Sequence, residues 1–315
     1  MPAGACRRTP VPPPPSARGP HTFLARKMDT FILQQVLNGL STGMTYVVLA
    51  LGLTLVFGVL HVMNFAHGDL YMVGALIAFI AAAQHQLPYG WAVLLAIGCS
   101  GLLAIVIDRL AVRPLVARKQ GSADTLLSTY ALSLLVSEAV LAVWGPTPQA
   151  VPGLVGSVDF IGITLTYQRT LVLVAGLLMV AGVHMVLRHT LFGKQIRALA
   201  EDRFAAAVVG IPVRRIGSQT FVLAGVLAGA AGALMVPVLT FSPVMGHNVL
   251  TKIFAVVVIG GMGSVRGTLV CGLALGVLET FGSMYFSATV NLALVYVLLL
   301  LVLLFKPAGL FGKKG

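Results

Sequence analysis

The sequence predicts an all-α, polytopic membrane protein with about eight transmembrane helices, and three observations carry that prediction. Hydrophobic residues make up 58% of the 315 residues and charged residues only 10%, against about 25% charged in an ordinary soluble domain. Mean hydropathy is +0.96, more apolar surface than one water-soluble core of this size can hide. The charges also leave long gaps: none lies between Asp29 and Asp69, Asp69 and Asp108, Arg215 and Lys252, or Glu279 and Lys306. Each gap holds one or two helices of about 20 residues. A transmembrane β-barrel would instead show short segments alternating apolar and polar, and these runs are apolar on every side.

Residues 1–27, MPAGACRRTPVPPPPSARGPHTFLARK, are rich in Pro and Arg and lack the apolar centre of a signal peptide. They read either as an upstream start chosen in error or as a disordered cytoplasmic tail. Met28 opens MDTFILQQVLNGLSTG, which reads as a natural beginning. Residues 28–315 form the membrane domain, with spans expected near 31–60, 64–83, 90–111, 124–144, 169–188, 216–240, 250–264, 267–286 and 289–305. The 250–264 segment is short enough to be re-entrant or broken.

Basic loops orient the spans. Arg109, Arg113, Arg118 and Lys119 mark one cytoplasmic loop. The stretch Arg188 to Arg215, with six Lys or Arg, marks a second, and Lys306, Lys313 and Lys314 the tail. The uncharged 84–90 loop belongs outside, as does 144–160, which carries only Asp159. The Pro- and Gly-rich loop 145–168 with its β-branched ITLTY run is suited to pack as a small outer cap. Alternate crossings make these assignments consistent. The first span starts outside if 31–60 is one helix, and inside if it is two.

Placement of charge also excludes function classes. A net charge of +12 invites a nucleic-acid role, but the basic residues sit at span ends and in loops, where membrane insertion expects them. Cys6, Cys99 and Cys271 have no metal or redox spacing, and the seven histidines show no ligand pattern. No nucleophile–base set marks a catalytic site, and no cofactor motif occurs.

The segment RHTLFGKQIRALAEDRFAAAVVGIPVRR at 188–215 is too polar to span yet is helically patterned. Ile196, Leu199, Phe204 (off by one), Ala206 and Val209 recur near helical spacing, with Arg197, Glu201, Asp202 and Arg203 between. Gly210 and Pro212 then stop the helix. An amphipathic helix near 194–211, lying at the inner surface, is expected. Such a helix commonly rests on lipid headgroups, whereas the small run Ala205-Ala206-Ala207 favours contact with another protein.

A second functional candidate lies at 51–75. Asn64, His67 and Asp69 fall inside an apolar region, and ionisable groups there face a bundle interior or water. Asn64 would cap the following helix, with Asp69 at its positive end, or the three residues line a solute path. The run GGMGSVRG lacks the Gly-Lys-Ser/Thr ending of a phosphate loop. Gly261 and Gly263 read instead as interrupted helix, which transporters place at working sites. Arg266 reads as the cytoplasmic end of a span.

These stretches together carry a resemblance. Ala205, Ala206 and Gly210 fit the coupling-helix pattern of ABC importer permeases, with Phe204 where that pattern has Glu. LGLTLVFGVLHVMNFAHGDLYMVGA at 51–75, FAVVVIGGMGSVRGTLVCGLALGVLE at 254–279 and the closing Pro307-x-Gly309-Leu310-Phe311-Gly312 resemble the branched-chain amino acid ABC permease family, in its H-type (LivH-like) subunit. The resemblance runs from Met28 to Gly315. It implies a transmembrane permease subunit of the bacterial cytoplasmic (inner) membrane for branched-chain amino acids. It also implies a second permease, two cytoplasmic ABC ATPases and a periplasmic substrate-binding protein as partners. Arg197, Glu201, Asp202, Ala205, Ala206, Gly210 and Ile211 become the expected ATPase-coupling residues, and Asn64, His67, Asp69, Gly261 and Gly263 the expected translocation path. No Gly-x-x-x-x-Gly-Lys-Ser/Thr run occurs, so ATP hydrolysis is expected from separate subunits and the chain itself is not expected to be an enzyme. A secondary transporter or channel, or an ABC permease for urea or amides, is the competing expectation.

Overall fold

A computed structural model describes residues 20–117, 122–160 and 163–312. The predicted extension lies mostly outside the described residues, as do Arg118, Lys119, Lys313 and Lys314, while the backbone is helical from Pro20 onward. In order, the chain forms α1 (Pro20–Leu60), α2 (His67–Phe79), a π-turn (Ile80–Gln84), α3 (Tyr89–Ile107), a second π-turn (Asp108–Val112), α4 (Arg113–Ala117) and α5 (Ser122–Trp144). A short hairpin follows, β1 (Ser157–Phe160) and β2 (Ile163–Thr166), then α6 (Tyr167–His189), α7 (Leu191–Glu201) and α8 (Arg203–Val208). The chain closes with α9 (Val213–Leu239), α10 (Met245–Gly260), α11 (Val265–Tyr285) and α12 (Ala288–Phe305). Among the described residues eight helices are long and apolar enough to cross a membrane, and α10 is a shorter apolar ninth. The protein is therefore a multi-pass α-helical membrane protein, as the charge gaps predicted.

The structure settles one alternative, gives the outer loop its form and moves one boundary. The 31–60 span is one helix, so the crossing count places its Thr30 end on the outer side. The outer loop contributes an antiparallel hairpin with Ser157 opposite Thr166, and the Gln34 amide donates to the Thr164 carbonyl at 3.3 Å, seating it on the outer end of α1. The short span begins at Met245 rather than near 250, directly after the non-helical residues 240–244, which include Pro243.

Helices α1, α2 and α9 form the buried centre, and α3, α5, α6 and α12 leave most of their surface exposed. Small residues allow the central helices to approach, as expected where lipid gives no hydrophobic drive to association. Gly39 and Gly43 of α1 lie against Gly272 and Gly276 of α11, where a Cβ on Gly43 would sit 2.9 Å from the Leu273 Cα. Pro237 inside α9 cannot donate to the Ala233 carbonyl. The Tyr89 hydroxyl takes that place at 2.8 Å, and Gln168 donates to the Leu234 carbonyl at 2.7 Å.

Two units repeat one plan in opposite directions. In the first, α1 descends to the inner face, the chain reverses at His61 (φ 53°), and α2 starts part-way back through the membrane. In the second, α9 ascends, the chain reverses at Thr240 (φ 67°), and α10 starts part-way down. The two helix starts meet: a Cβ on Gly246 would lie 2.7 Å from the Gly68 carbonyl oxygen. Non-helical backbone at such depth must find internal partners. Phe65 N–H donates to Thr129 Oγ1 at 3.3 Å and Ala66 N–H to Asn64 Oδ1 at 3.1 Å. Residue 241 exchanges two backbone hydrogen bonds with Gln149, and its ring stacks on Phe79 at 5.6 Å.

Candidate functional site

At the inner face the predicted helix 194–211 is two helices. Asp202 takes extended backbone (φ −151°, ψ 111°) and its carboxylate accepts from the N–H groups of Phe204 (2.8 Å) and Ala205 (3.0 Å), so it ends α7 and caps α8. Its spacing among helical residues concealed this, since Asp competes with helix by bonding nearby backbone. Thr190 caps α7 through Gly193 N–H. The stop after α8 is the predicted one. Gly210 has φ +85°, its N–H bonds the Ala207 carbonyl, and Ile211 N–H bonds the Ala206 carbonyl at 3.0 Å, a Schellman closure.

Ile196, Leu199 and Ala206 are buried as the periodicity expected, but Phe204 (80% exposed) and Val209 (76%) are not. With Val208 they form an apolar face on α8 turned away from the chain. The elbow at Asp202 rotates α8 out of the register of α7, which is why the buried pattern fails there. Arg197, Glu201, Asp202, Ala205 and Gly210 are exposed beside this face, Ile211 is half-buried and Ala206 buried. Arg197 donates to the Leu187 carbonyl. Arg203 donates to the Leu60 carbonyl at 3.1 Å, tying α8 to the inner end of α1.

In the interior the structure buries Asn64, His67 and Asp69 but turns their side chains to different partners, and it leaves Gly261 and Gly263 elsewhere. His67 Nε2 donates to the Leu49 carbonyl at 3.0 Å, which places it roughly 16 Å above Leu60 at the helical rise per residue. Asn64 does not cap α2; its bond to Ala66 N–H closes a turn just before the helix, and the Ala66 cap position has no side-chain bond. Asp69 lies in the first turn of α2. The Ser137 hydroxyl donates to Asp69 Oδ1 at 2.8 Å and lies 3.3 Å from His247 Nε2, joining α2, α5 and α10. Gly261 (φ +96°) and Gly263 (φ +86°) form the turn between α10 and α11. The terminal segment folds back onto that turn, Leu310 N–H bonding the Ile259 carbonyl at 2.8 Å, and exposed Arg266 lies at the start of α11.

Two cavities flank α10. The inner one, about 270 Å³, is apolar and bounded by Leu53, Phe57, Asn64, Leu250, Phe254 and Val257 among others. The outer one, about 480 Å³, is bounded by Tyr46, Arg169, Asn248, Lys252, Glu279 and neighbouring polar residues. Lys252 pairs with Glu279 Oε1, and the Tyr46 hydroxyl donates to Glu279 Oε2 at 2.6 Å and receives a bond from Lys252 at 3.3 Å. Sequence reading missed this group, because its members lie far apart in sequence and Lys252 stood out only as the edge of a charge gap. Among the described residues no set of three or more His, Cys, Asp or Glu is placed to hold a metal ion.

Comparison with known proteins places the chain among transporters. The family described as branched-chain amino acid transport system / permease component matches residues 35–305. The high-affinity branched-chain amino acid transport system permease protein BraD of Pseudomonas aeruginosa is 33% identical over 296 residues, covering 89% of this chain and 96% of that one. The LivH permease protein of Escherichia coli K12 is 31% identical over 299 residues, covering 90% and 96%. A probable LivH permease of Methanocaldococcus jannaschii is 28% identical over 284 residues, covering 84% and 88%.

Proposed function

Since the chain belongs to the branched-chain amino acid transport permease family, we propose that it is the permease subunit of an ABC importer for leucine, isoleucine and valine. It pairs with a second permease in the bacterial inner membrane, receives solute from a periplasmic binding protein, and is driven by two cytoplasmic ATPases. ATP hydrolysis belongs to those ATPases; this chain supplies the path and the docking surface.

The observation that carries the reading is the apolar face of Phe204, Val208 and Val209. It is held outward at both ends, by the Asp202 cap and by the Gly210 closure, and it lies on the side that the basic loops make cytoplasmic. Three apolar side chains kept in water on a fixed short helix suit a protein partner. Arg197, Glu201, Ala205 and Gly210 rim the contact, while Ala206 and Ile211 seat α8 on the chain. The solute path runs beside α10, with Asn64 on its inner side. The 261–263 turn anchors the inner end of α10.

Phe204→Asp tests this. The side chain is exposed, so insertion and stability stay within about 0.5 kcal/mol of the parent. A charge placed in the apolar contact lowers ATP-driven leucine uptake in proteoliposomes and the co-purification of the ATPases about tenfold or more. Unchanged uptake would remove α8 from the coupling surface, and uptake without any ATPase would overturn the importer reading.

A further inference from the structure

The outer cavity contains a charge pair that folding alone does not account for. Glu279 lies on α11 about 14 residues above its inner end, roughly 21 Å, and Tyr46 lies as far above Leu60 on α1, so the group sits within the outer half of a core about 30 Å thick. Charged side chains at that depth are costly and mark solute or ion paths. A pair retained for packing would be sealed from water, and apolar replacements of such pairs are often neutral or stabilising. Here both side chains remain 20% exposed. Among the described residues one Glu279 oxygen is held by the neutral Tyr46 hydroxyl alone, which a stronger donor can displace.

The cavity's composition specifies a ligand. Arg169 and Lys252 outnumber the single carboxylate of Glu279 along its wall, so the site favours a solute that brings a carboxylate. Glu279 offers the matching position for an ammonium group. Leu239, Met245 and Val249 supply an apolar wall beside these charges. The volume of about 480 Å³ falls in the range of small-molecule sites.

We propose that the outer cavity is a binding subsite for a zwitterionic aliphatic α-amino acid, with Arg169 and Lys252 taking its carboxylate, Glu279 its ammonium, and Leu239, Met245 and Val249 its side chain. This rests on the importer reading above and adds the place where the solute is held after release from the binding protein. Lys252 and Glu279 exchange their mutual contact for the two ends of the solute, so the empty cavity keeps neither charge unpaired.

The experiment uses the assembled importer in proteoliposomes, with its binding protein loaded with radiolabelled L-leucine. Absence of ATP-dependent uptake by the wild type would overturn the importer reading itself. With wild-type uptake established, Glu279→Gln is expected to lower it at least about tenfold, the loss of one charge-assisted hydrogen bond, while ATPase docking is retained. Normal uptake by Glu279→Gln overturns the subsite. The double variant Lys252→Met/Glu279→Leu removes the pair without leaving an orphan charge. Continued loss of uptake with intact assembly supports the subsite, and restored uptake assigns the pair to folding and overturns it. A labelling measurement needs neither variant: with Cys6, Cys99 and Cys271 replaced by Ala, Asn248→Cys is alkylated from outside by an impermeant maleimide. Saturating L-leucine slows the reaction severalfold if the cavity holds it, and an unchanged rate overturns the proposal.

Discussion

The α1–α2 and α9–α10 units share a plan and differ in what surrounds their short helices. Each has a long helix, a reversal through a non-glycine residue of positive φ, and a short helix starting at mid-depth with glycine as its second residue. Helix α2 is enclosed by α3, α9 and α10, and no residue of it borders either cavity. Helix α10 borders both cavities, with Lys252 on the outer one and Phe254 on the inner. The same design has thus produced one helix that is fixed and one with open space on two sides. Protein interiors are close-packed and resist deformation, so rearrangement is easiest at α10, and α2 is the surface it moves against.

The comparison is broken most severely where the two helix starts touch. Gly68→Leu drives a side chain into the Gly246 backbone and costs about 3 kcal/mol or more. Monodisperse protein should be lost on size-exclusion chromatography in detergent, and a well-behaved variant would show that the two starts are not in contact. Ser137→Ala removes the hydroxyl that joins Asp69 to His247. It leaves a buried carboxylate oxygen without its donor and should cost about 1–3 kcal/mol in thermal unfolding. A smaller loss would mean that water or a solute reaches Asp69, making α2 a path-lining helix after all. Tyr71→Phe sharpens the contrast from the other side. Among the described residues the Tyr71 hydroxyl is buried without a hydrogen-bond partner, so deleting it should raise stability by about 1 kcal/mol and leave leucine uptake unchanged. Reduced uptake would again place α2 on the path.

Most of the fold was legible because lipid imposes a simple rule, that long uncharged runs become helices. The rule is weaker at the breaks: residues 64–66, expected inside a span, run non-helically, as do 61–63 and 240–244, their free backbone groups bonded by Thr129, Asn64 and Gln149. Those partners lie far off in sequence or in a turn that periodicity does not describe. The inner-face site was legible down to its Gly210 stop and illegible at its elbow, since one carboxylate bonding two N–H groups leaves no trace in a hydrophobic pattern. The Lys252–Glu279 pair was illegible for a different reason. Lys252 reads as the edge of a span and Glu279 as a lone carboxylate inside the 267–286 run, and only the packing of α10 on α11 brings them to one cavity.

Helix α1 runs unbroken from the inner face past the middle of the membrane, whereas the α3 region and the end of α2 carry π-turns. Arg203 grips its last carbonyl from α8, and about 14 residues higher, roughly 21 Å along the axis, its Tyr46 grips Glu279. A stiff rod held at both stations has no joint in which to absorb a stroke. If α8 is the ATPase contact and the outer cavity the solute site, as proposed above, force delivered at the cytoplasmic end arrives at the tyrosine as displacement, and the distance between the two becomes a matter of leverage.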